Sequence, residues 1–530
     1  MLITLIRFAF VSSQGSINNE PSPPIGLAYI AGICKSKNVE IDGIDSTGSN
    51  VNKVFKIPGT KLQGNGIDID EIIKLINPKT EIFGISTMFS HEWNYNRECI
   101  KKIKKNFPNA LIITGGEHVT ALPEYVLKDC KEIDYVCLGE GEETWSEIIE
   151  NRKINKSLDN LKGLAYLKNG KFFRTQIRQR IKHIDDIPWP DWDSFPIESY
   201  LDNSMSFGAG SGRDMPILAS RGCPFECTFC SNPLMYGRRY YLRQIDDLIK
   251  QIKYYIKRYK ITGLQFYDLT AIISKDWVIE FCKSLKENNI NLEWSLPSGT
   301  RSEALDLEVL TALSGANLKY LVYAPESGST KTLIEIKKKI KLSKMEESIR
   351  WAVQQNISVR ANLIIGFPKE KRLQLYKTLY QQLKFMFMGT EEAPIFLFQP
   401  YPGTELFDYL IKKKKIVLND AYFDSLNTLS NGELRPPAQT FNVYMSRYEL
   451  YLYKMIGLIL SYSISYITRP KRILRTVKNL FTDRSSSVAE QRLKDNLRRS
   501  NLFSKYLKPF VVKIFLKKKG DLKLNVTKKL

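Results

Sequence analysis

The sequence has few cysteines, few histidines and no long uncharged apolar run. Eight cysteines in 530 residues are too few for the disulfide framework of a secreted protein. The longest uncharged apolar run, residues 455–468, is too short to cross a bilayer and suits a buried or interfacial helix. Residues 1–10 contain Arg7 and precede no small-residue cleavage site, so they predict a first strand and not a signal peptide. We therefore expect a protein of a reducing, cytoplasmic compartment.

Acidic residues are also scarce, and their deficit is uneven along the chain. There are 79 Lys and Arg against 56 Asp and Glu, a formal net charge of +23. Residues 469–530 hold 19 basic and 4 acidic residues, a net +15, which leaves +8 for the first 468 residues. With 43% hydrophobic and 25% charged residues, the composition is otherwise that of a globular protein, which excludes global disorder. The basicity therefore belongs mainly to a tail.

Alternating strand and helix patterns divide the chain into two α/β regions. Residues 1–150 contain five strand–helix units, which predict a doubly wound, Rossmann-like parallel sheet. Residues 151–206 lack a long periodic element but carry a Pro- and Trp-rich run, which predicts an ordered interdomain connection. Residues 207–435 repeat six strand–helix units, which predict a partial (β/α)6 barrel of the TIM type. Residues 436–530 have a helical and increasingly basic pattern.

A Cys-x3-Cys-x2-Cys motif follows the first predicted barrel strand. Cys223, Cys227 and Cys230 can face one metal centre from a single loop. Three thiolates without a fourth nearby ligand suit a [4Fe-4S] cluster with one open iron, whereas a zinc site usually has a fourth Cys or His. A zinc site or ordinary buried cysteines are the alternatives. The other cysteines lack ligand spacing and are predicted to be packing residues: Cys34, Cys99, Cys130, Cys137 and Cys282.

The cysteine motif resembles the signature of the radical S-adenosylmethionine (SAM) superfamily, in which an aromatic residue, here Phe229, precedes the last cysteine. Further motifs that resemble the superfamily follow later strands: Phe266-Tyr267-Asp268, Glu326-Ser327-Gly328, Ile365-Gly366-Phe367-Pro368 and Gln399-Pro-Tyr-Pro-Gly403-Thr404. The resemblance implies that the open iron binds SAM, that an electron cleaves it to a 5′-deoxyadenosyl radical, and that SAM is contacted by Phe229, Asp268, Glu326, Ser327 and Gly366. The chain departs from the family pattern at Tyr323-Ala324-Pro325, where a glycine-rich run is common, and at Leu269-Thr270, where a second acidic residue is common.

The N-terminal region resembles the cobalamin-binding proteins of the same superfamily. The matching motifs are Pro23-Pro24-Ile-Gly26, Gly84-Ile-Ser86, Gly115-Gly116-Glu-His118 and Gly139-Glu-Gly-Glu142. The resemblance implies that cobalamin is contacted by Ser86, Gly115 and Gly116. After the first strand the chain reads Ser12-Ser13-Gln14-Gly15 instead of Asp-x-His-x-x-Gly, so we expect no axial histidine on cobalt. We expect His118 near the nucleotide tail or at the surface. A nucleotide-binding sheet, or a degenerate domain without a ligand, is the alternative.

Both regions together resemble the cobalamin-binding radical SAM proteins that are similar to class B methyltransferases. The resemblance implies methylation of an unactivated carbon through the 5′-deoxyadenosyl radical and methylcobalamin. The alternatives are a non-methylating cyclase or rearrangement enzyme that uses cobalamin, and a cobalamin-binding sensor or carrier with an inactive barrel. The intact cysteine triad argues against the last. The substrate is expected to be a small molecule or a lipid, and the electron donor a reductase, flavodoxin or ferredoxin. The catalytic residues are not identified by the sequence.

The basic tail contains an amphipathic segment at Leu502–Lys519. Its apolar residues recur at helical intervals between lysines: Phe503, Tyr506, Leu507, Phe510, Ile514 and Phe515. Such a segment predicts contact with an anionic membrane surface, which would place the protein peripherally on the inner face of the membrane. A solvated polar face and RNA contact are the alternatives, and we do not expect nucleic acid to be the partner.

Overall fold

The computed structural model of the chain describes residues 1–16, 22–270, 272–430 and 432–499. The predicted amphipathic segment Leu502–Lys519 lies outside the described residues.

The N-terminal region folds around a seven-stranded sheet of five parallel strands and an antiparallel hairpin. The inner strands are apolar along their whole length because both of their faces are covered; every residue of Leu2–Arg7 is buried. In spatial order the strands are Lys171–Arg174, Leu164–Lys168, Tyr135–Cys137, Leu111–Gly115, Ile82–Ser86, Leu2–Arg7 and Glu40–Asp45. The helices of this region are Ile25–Ser36, Ser46–Ser49, Ile69–Leu75, Trp93–Asn106, Glu117–Ala121, Pro123–Asp129 and Glu142–Lys153. The predicted Rossmann-like sheet is confirmed.

Several local expectations for this region differ from the structure. The apolar run at residues 2–11 is divided, because Phe10–Ser13 leaves the large sheet and pairs with Leu62–Asn65 in a small antiparallel sheet that also contains Val54–Lys56. The helical pattern of the sequence at residues 121–129 forms a helix only from Pro123 onwards, because the missing N–H of proline suits the first position of a helix.

The connection after residue 150 is more regular than the sequence indicates. Its hairpin, Leu164–Lys168 and Lys171–Arg174, extends the first sheet by antiparallel pairing with Tyr135–Cys137. The expected ordering of its tryptophans is observed, since Trp192 is buried and its Nε1 donates to Tyr255 Oη at 3.0 Å. Helix Ile197–Asp202 completes the segment. The proposed domain boundaries at residues 150, 206 and 435 remain predictions.

The second region is an open, all-parallel barrel of six strands in sequential order, as predicted. The strands are Asp214–Ile217, Gly263–Phe266, Glu293–Thr300, Leu318–Glu326, Ser358–Ile365 and Ile395–Leu397. The helices are Asn232–Tyr236, Ile245–Tyr259, Lys275–Glu287, Leu307–Gly315, Thr330–Glu335, Leu342–Gln354, Arg372–Met388, Glu405–Lys412 and Asp420–Thr428. A two-stranded ladder, Ser220–Arg221 with Tyr241–Leu242, closes the base of the loop that carries the cysteine motif.

Three further helices follow the barrel: Arg447–Thr468, Lys471–Leu480 and Val488–Arg499. Helix Arg447–Thr468 begins before the predicted apolar run, with the Ser446 hydroxyl accepting from Glu449 N at its amino end. Among the described helices it alone has the length and hydropathy of a membrane-crossing helix, a property that buried helices of globular proteins share. The last helix covers the amino-terminal end of the barrel, where Val488 N donates to Glu392 Oε1 at 2.8 Å.

Candidate functional site

The three motif cysteines lie on one loop between the first barrel strand and the short helix Asn232–Tyr236. All three are half-buried free thiols, and the backbone turns tightly where Cys230 N donates to Cys227 O at 3.1 Å. Burial raises the pKa of each thiol, that of Cys230 to about 12. Within the described part of the chain, no three His, Cys, Asp or Glu side chains converge on a single ion. Three cysteines on one loop, with no fourth Cys or His on that loop, suit a [4Fe-4S] cluster with one open iron.

Two buried cations lie beside the cysteine loop. The Arg301 guanidinium is 3.6 Å from the centre of the Phe225 ring, within the loop, and Lys338 Nζ is 3.0 Å from Glu326 Oε1. Against the larger effect of burial, Lys338 and Arg301 lower the pKa of the Cys223 thiol. Arg301 Nη1 is buried without a hydrogen-bond partner among the described residues. A buried, unpaired N–H of a cation fits a bound carboxylate, such as that of SAM.

Asp268 holds the chain that leads into the cysteine loop. Its carboxylate accepts from Ala219 N at 3.1 Å and from the Ser220 hydroxyl. The side chain is buried, and burial raises its pKa to about 6. The structure thus gives Asp268 a positioning role towards Cys223, and its contact with SAM remains a prediction.

Glu326 and Ser327 end the fourth barrel strand with different surroundings. Glu326 has φ +64°, in the left-handed region, and its buried carboxylate pairs with Lys338. Ser327 is turned towards helix Arg372–Met388, where its hydroxyl lies 2.9 Å from Thr378 Oγ1 and accepts from Ser329 N. The hydroxyl of Ser327 is therefore already engaged by Thr378 and Ser329, and its contact with SAM remains a prediction.

Gly366 follows the fifth strand and lies between the cysteine loop and helix Arg447–Thr468. Its φ is +85°, and a Cβ there would lie 2.9 Å from Leu450 Cδ1. Phe229 of the cysteine loop packs on Phe367, with ring centres 5.8 Å apart. Gly366 N donates to Glu370 Oε2 at 2.6 Å, and burial raises the pKa of Glu370 to about 7. Sequence reasoning missed Glu370, although it follows the Gly366 motif directly.

The predicted cobalamin contacts lie at the carboxyl edge of the first sheet, where ligands of such sheets bind. Ser86 and Gly115 face each other on neighbouring strands. A Cβ on Gly115 would meet only Cys137, at 3.6 Å, so the space beside it is open. Gly116, in contrast, has φ +126°, and a Cβ there would lie 2.7 Å from Thr87 O. An open edge bounded by small residues fits a large planar ligand.

His118 is not at the surface, which corrects one of the two expectations for it. Its side chain is buried between Trp93 and Phe423, with Nδ1 3.0 Å from Ser90 Oγ. Burial lowers its pKa to about 3, so the ring is neutral. Its Nε2 has no partner among the described residues. The other expectation, a place near the nucleotide tail, remains a prediction.

Ion pairs join the edge of the first sheet to the cysteine loop. Arg221, two residues before Cys223, pairs with Glu140 Oε1 at 3.3 Å and Glu142 Oε1 at 2.6 Å, and all three side chains are buried. Glu140 also pairs with Arg180 at 2.5 Å. These contacts were missed because the motif at residues 139–142 gives its glutamates no partner, and the partners lie far apart in sequence.

A second link is made by Glu117, which accepts a hydrogen bond from the hydroxyl of Ser231, the residue after Cys230. Burial raises the pKa of Glu117. The cysteine loop is thus fixed at one end to the motif at residues 139–142 and at the other to Glu117, which follows the predicted cobalamin contact Gly116.

A cavity of about 440 Å³ lies between the two sheets. On the N-terminal side it is lined by Phe10, Phe89 and His91, and on the barrel side by Phe229 and Tyr320 among others. Burial lowers the pKa of His91 to about 4, so this wall is uncharged near neutrality. Sequence reasoning missed His91, which no motif marks. Phe229 of the cysteine loop and Phe89, three residues after Ser86, both line this cavity.

Comparisons with known proteins match each of the two regions to a protein family. The model of the B12 binding domain matches residues 19–149, and that of the radical SAM superfamily matches residues 217–379. An uncharacterised methyltransferase of Pyrococcus horikoshii is 29% identical over 412 residues, covering 78% of this chain and 83% of the relative. The anaerobic magnesium-protoporphyrin IX monomethyl ester cyclase of Cereibacter sphaeroides is 25% identical over 318 residues, covering 59% of this chain and 50% of that enzyme.

Among solved structures, the radical SAM methyltransferase TsrM of Kitasatospora setae, with cobalamin and a [4Fe-4S] cluster bound, has the same fold. Its TM-score is 0.59 at 14% identity, with 78% of each chain covered. The two family models follow one another in the order of the two folded regions, and the cysteine loop lies at their junction. The chain therefore belongs to the cobalamin-binding radical SAM enzymes, whose cofactors are a [4Fe-4S] cluster, SAM and cobalamin.

Proposed function

We propose that the protein is a methyltransferase that methylates an unactivated carbon of an apolar small molecule or lipid. The observation that carries this proposal is the cavity between the two sheets, because Phe229 of the cysteine loop and Phe89 of the first sheet line the same space. Hydrogen abstraction and methyl delivery must reach one carbon, which requires such a shared cavity. When bound, the cluster and SAM supply the 5′-deoxyadenosyl radical, and cobalamin supplies the methyl group.

The residues of the chain bind and orient the substrate. Aromatic walls, which include Phe10, Phe396 and Phe398, exclude water and favour an apolar substrate body. A few polar side chains lie on the barrel side, where Arg360 Nε donates to Asn362 Oδ1 at 2.8 Å and its guanidinium pairs with Glu392. These groups can orient one polar end of the substrate. The wall that contains His91 is neutral, which disfavours a highly charged ligand there.

Cyclisation without methyl transfer is the second candidate, and the match to an anaerobic cyclase supports it. It needs the same cofactors and could use the same cavity, but the match to a methyltransferase covers more of both chains than the match to the cyclase, which favours methylation. A sensor or carrier with an inactive barrel has less support, because the three cysteines and their ion-paired loop are intact.

Product analysis separates these candidates. The reconstituted full chain is incubated anaerobically with cobalamin, a reductant, SAM labelled in its methyl group with deuterium, and a lipid and metabolite extract. Methylation predicts a product that carries the labelled methyl, with S-adenosylhomocysteine and 5′-deoxyadenosine formed in equal amounts. Deoxyadenosine without S-adenosylhomocysteine would support cyclisation instead. C227A should abolish both products, whereas C130A, which changes a packing cysteine, should retain them.

The remaining partners are part of the same proposal. Reduction of the cluster requires an external one-electron donor, a reductase, flavodoxin or ferredoxin. Eight free thiols and an iron–sulfur cluster suit a reducing, cytoplasmic compartment. The lysine-rich segment Leu502–Lys519 would attract an anionic membrane surface from that side.

A further inference from the structure

Helix Arg447–Thr468 is packed with its polar side inwards. Its buried residues are Leu450, Lys454, Gly457, Ser461 and Ser465, which recur every three or four positions and form one stripe. Lys454 Nζ donates to the carbonyls of Ser430 and Glu433 at 2.9 Å, and burial lowers its pKa to about 8. Gly457 allows close packing, since a Cβ there would lie 2.5 Å from Ile395. A helix on the outside of a globular protein normally turns its apolar stripe inwards.

The opposite stripe of the same helix is apolar and exposed. Its large side chains are between 37% and 79% exposed: Tyr448, Leu452, Ile456, Ile459 and Ile467. The stripe lies about 200° around the helix from the buried one, because residues 448 and 450 are two positions apart. The polarity of the helix is therefore inverted along its whole length, which is typical of a surface that meets an apolar environment.

Two neighbouring helices extend this surface. Helix Arg372–Met388 packs beside the first helix, with Tyr376 Oη 2.9 Å from Tyr453 Oη. It exposes Leu373, Tyr376, Tyr380 and Phe387, again on one stripe. Helix Lys471–Leu480 adds Ile473, Leu474 and Val477. We call the exposed apolar side chains of these three helices the outer face.

The charge of the three helices indicates which kind of partner the outer face binds. Together they carry nine Lys or Arg and one acidic residue, Glu449, which pairs with Arg372. Two further carboxylates, Glu346 and Glu391, pair with Lys384, Arg472 and Arg475, which leaves a net charge of +6. A second copy of the chain would bring the same positive charge to the contact, and so would the lysine-rich segment Leu502–Lys519. An anionic lipid surface offers both the opposite charge and an apolar interior, and tyrosines favour its boundary. We propose that the outer face docks on an anionic membrane.

Docking would bring the cofactor site close to the lipid. Leu450 at the beginning of the helix contacts Gly366, and the preceding segment is held by Asn442 Nδ2, which donates to Phe367 O at 2.6 Å. Phe367 packs on Phe229, which lines the cavity. A lipid as substrate therefore deepens the proposed function and rests on it, whereas the docking itself does not.

Vesicle sedimentation of the reconstituted full chain tests the docking without measuring activity. The probes are vesicles of phosphatidylglycerol and phosphatidylcholine, and vesicles of phosphatidylcholine alone. We expect the wild type to bind only the anionic vesicles and L452E/I459E to lower the partition coefficient at least tenfold. I154E/I177E adds the same charge at exposed apolar positions of the N-terminal region, away from the outer face, and should stay within twofold of the wild type. If L452E/I459E melts earlier than the wild type, L452S/I459S replaces it, with an expected loss of at least fivefold.

Three results would overturn the proposal. One is a partition coefficient equal to that of the wild type for folded L452E/I459E or L452S/I459S. Another is a loss seen only in K517E/K518E/K519E, which would assign binding to the tail. The third is a wild-type dimer in light scattering that L452E/I459E converts to a monomer, with no vesicle binding by either. A failed methylation assay alongside intact sedimentation would affect the proposed function and leave the docking standing.

Discussion

Removal of the Arg221 cation should release the cysteine loop from the first sheet. Arg221, Glu140 and Glu142 are all buried, and R221M leaves two carboxylates facing each other without their shared cation. Loss of one partner from a buried pair costs about 3–5 kcal/mol. Because Glu140 keeps its ion pair with Arg180, we expect the lower end of this range, about 3 kcal/mol. This free energy corresponds to a decrease of about a hundredfold in the equilibrium constant for docking of the cysteine loop on the first sheet.

The rate of cluster loss to a chelator, followed by the cluster's visible absorbance, measures this effect in the reconstituted full chain. R221M should lose its cluster about a hundredfold faster than the wild type if chelation requires an undocked loop. The double variant R221M/E142M should lose the cluster more slowly than the summed free-energy effects of R221M and E142M predict. The reason is that the double variant leaves no unpaired charge at position 142. The control is R372M, which breaks the exposed pair with Glu449 and should change the rate less than about fivefold. A rate for R221M equal to that of R372M, or strictly additive variants, would refute the reasoning.

Three further outcomes are expected. Ala at any of Cys223, Cys227 or Cys230 should abolish the iron–sulfur absorbance and deoxyadenosine formation, and an active triple variant would contradict the cluster assignment. G116A should weaken cobalamin binding in an absorbance titration more than G115A does, because φ +126° and the 2.7 Å approach to Thr87 O strain any side chain there; equal affinities would count against this. Since the folded-state pKa of Glu370, about 7, lies above its ordinary 4.5, the carboxyl binds its proton more tightly in the folded state, and stability should fall as pH rises from about 4.5 to about 7. In a profile of unfolding free energy against pH, E370Q should remove a fall on the order of 3 kcal/mol over that range, and an unchanged slope would exclude Glu370 as its source.

The sequence alone determined the fold class and the cofactors, and it predicts the cluster ligands. Strand and helix periodicity is a local property, so the six strand–helix units of the barrel were predicted in number and order. The spacing of Cys223, Cys227 and Cys230 is equally local, because one loop of eight residues carries all three predicted ligands. The comparisons confirm the resulting prediction of a cobalamin-binding radical SAM enzyme.

Only the tertiary structure decided which side chains meet across the fold. Arg221 and Glu142 are 79 positions apart, and their ion pair follows from the docking of two sheets, which no local pattern encodes. The structure likewise turned Ser327 towards a helix and buried His118, because packing and not motif membership sets a side chain's partners. The apolar run at residues 455–468 predicted a helix but could not show which face packs inwards. That choice depends on the carbonyls that receive Lys454 and on the room at Gly457, and both are properties of the folded barrel.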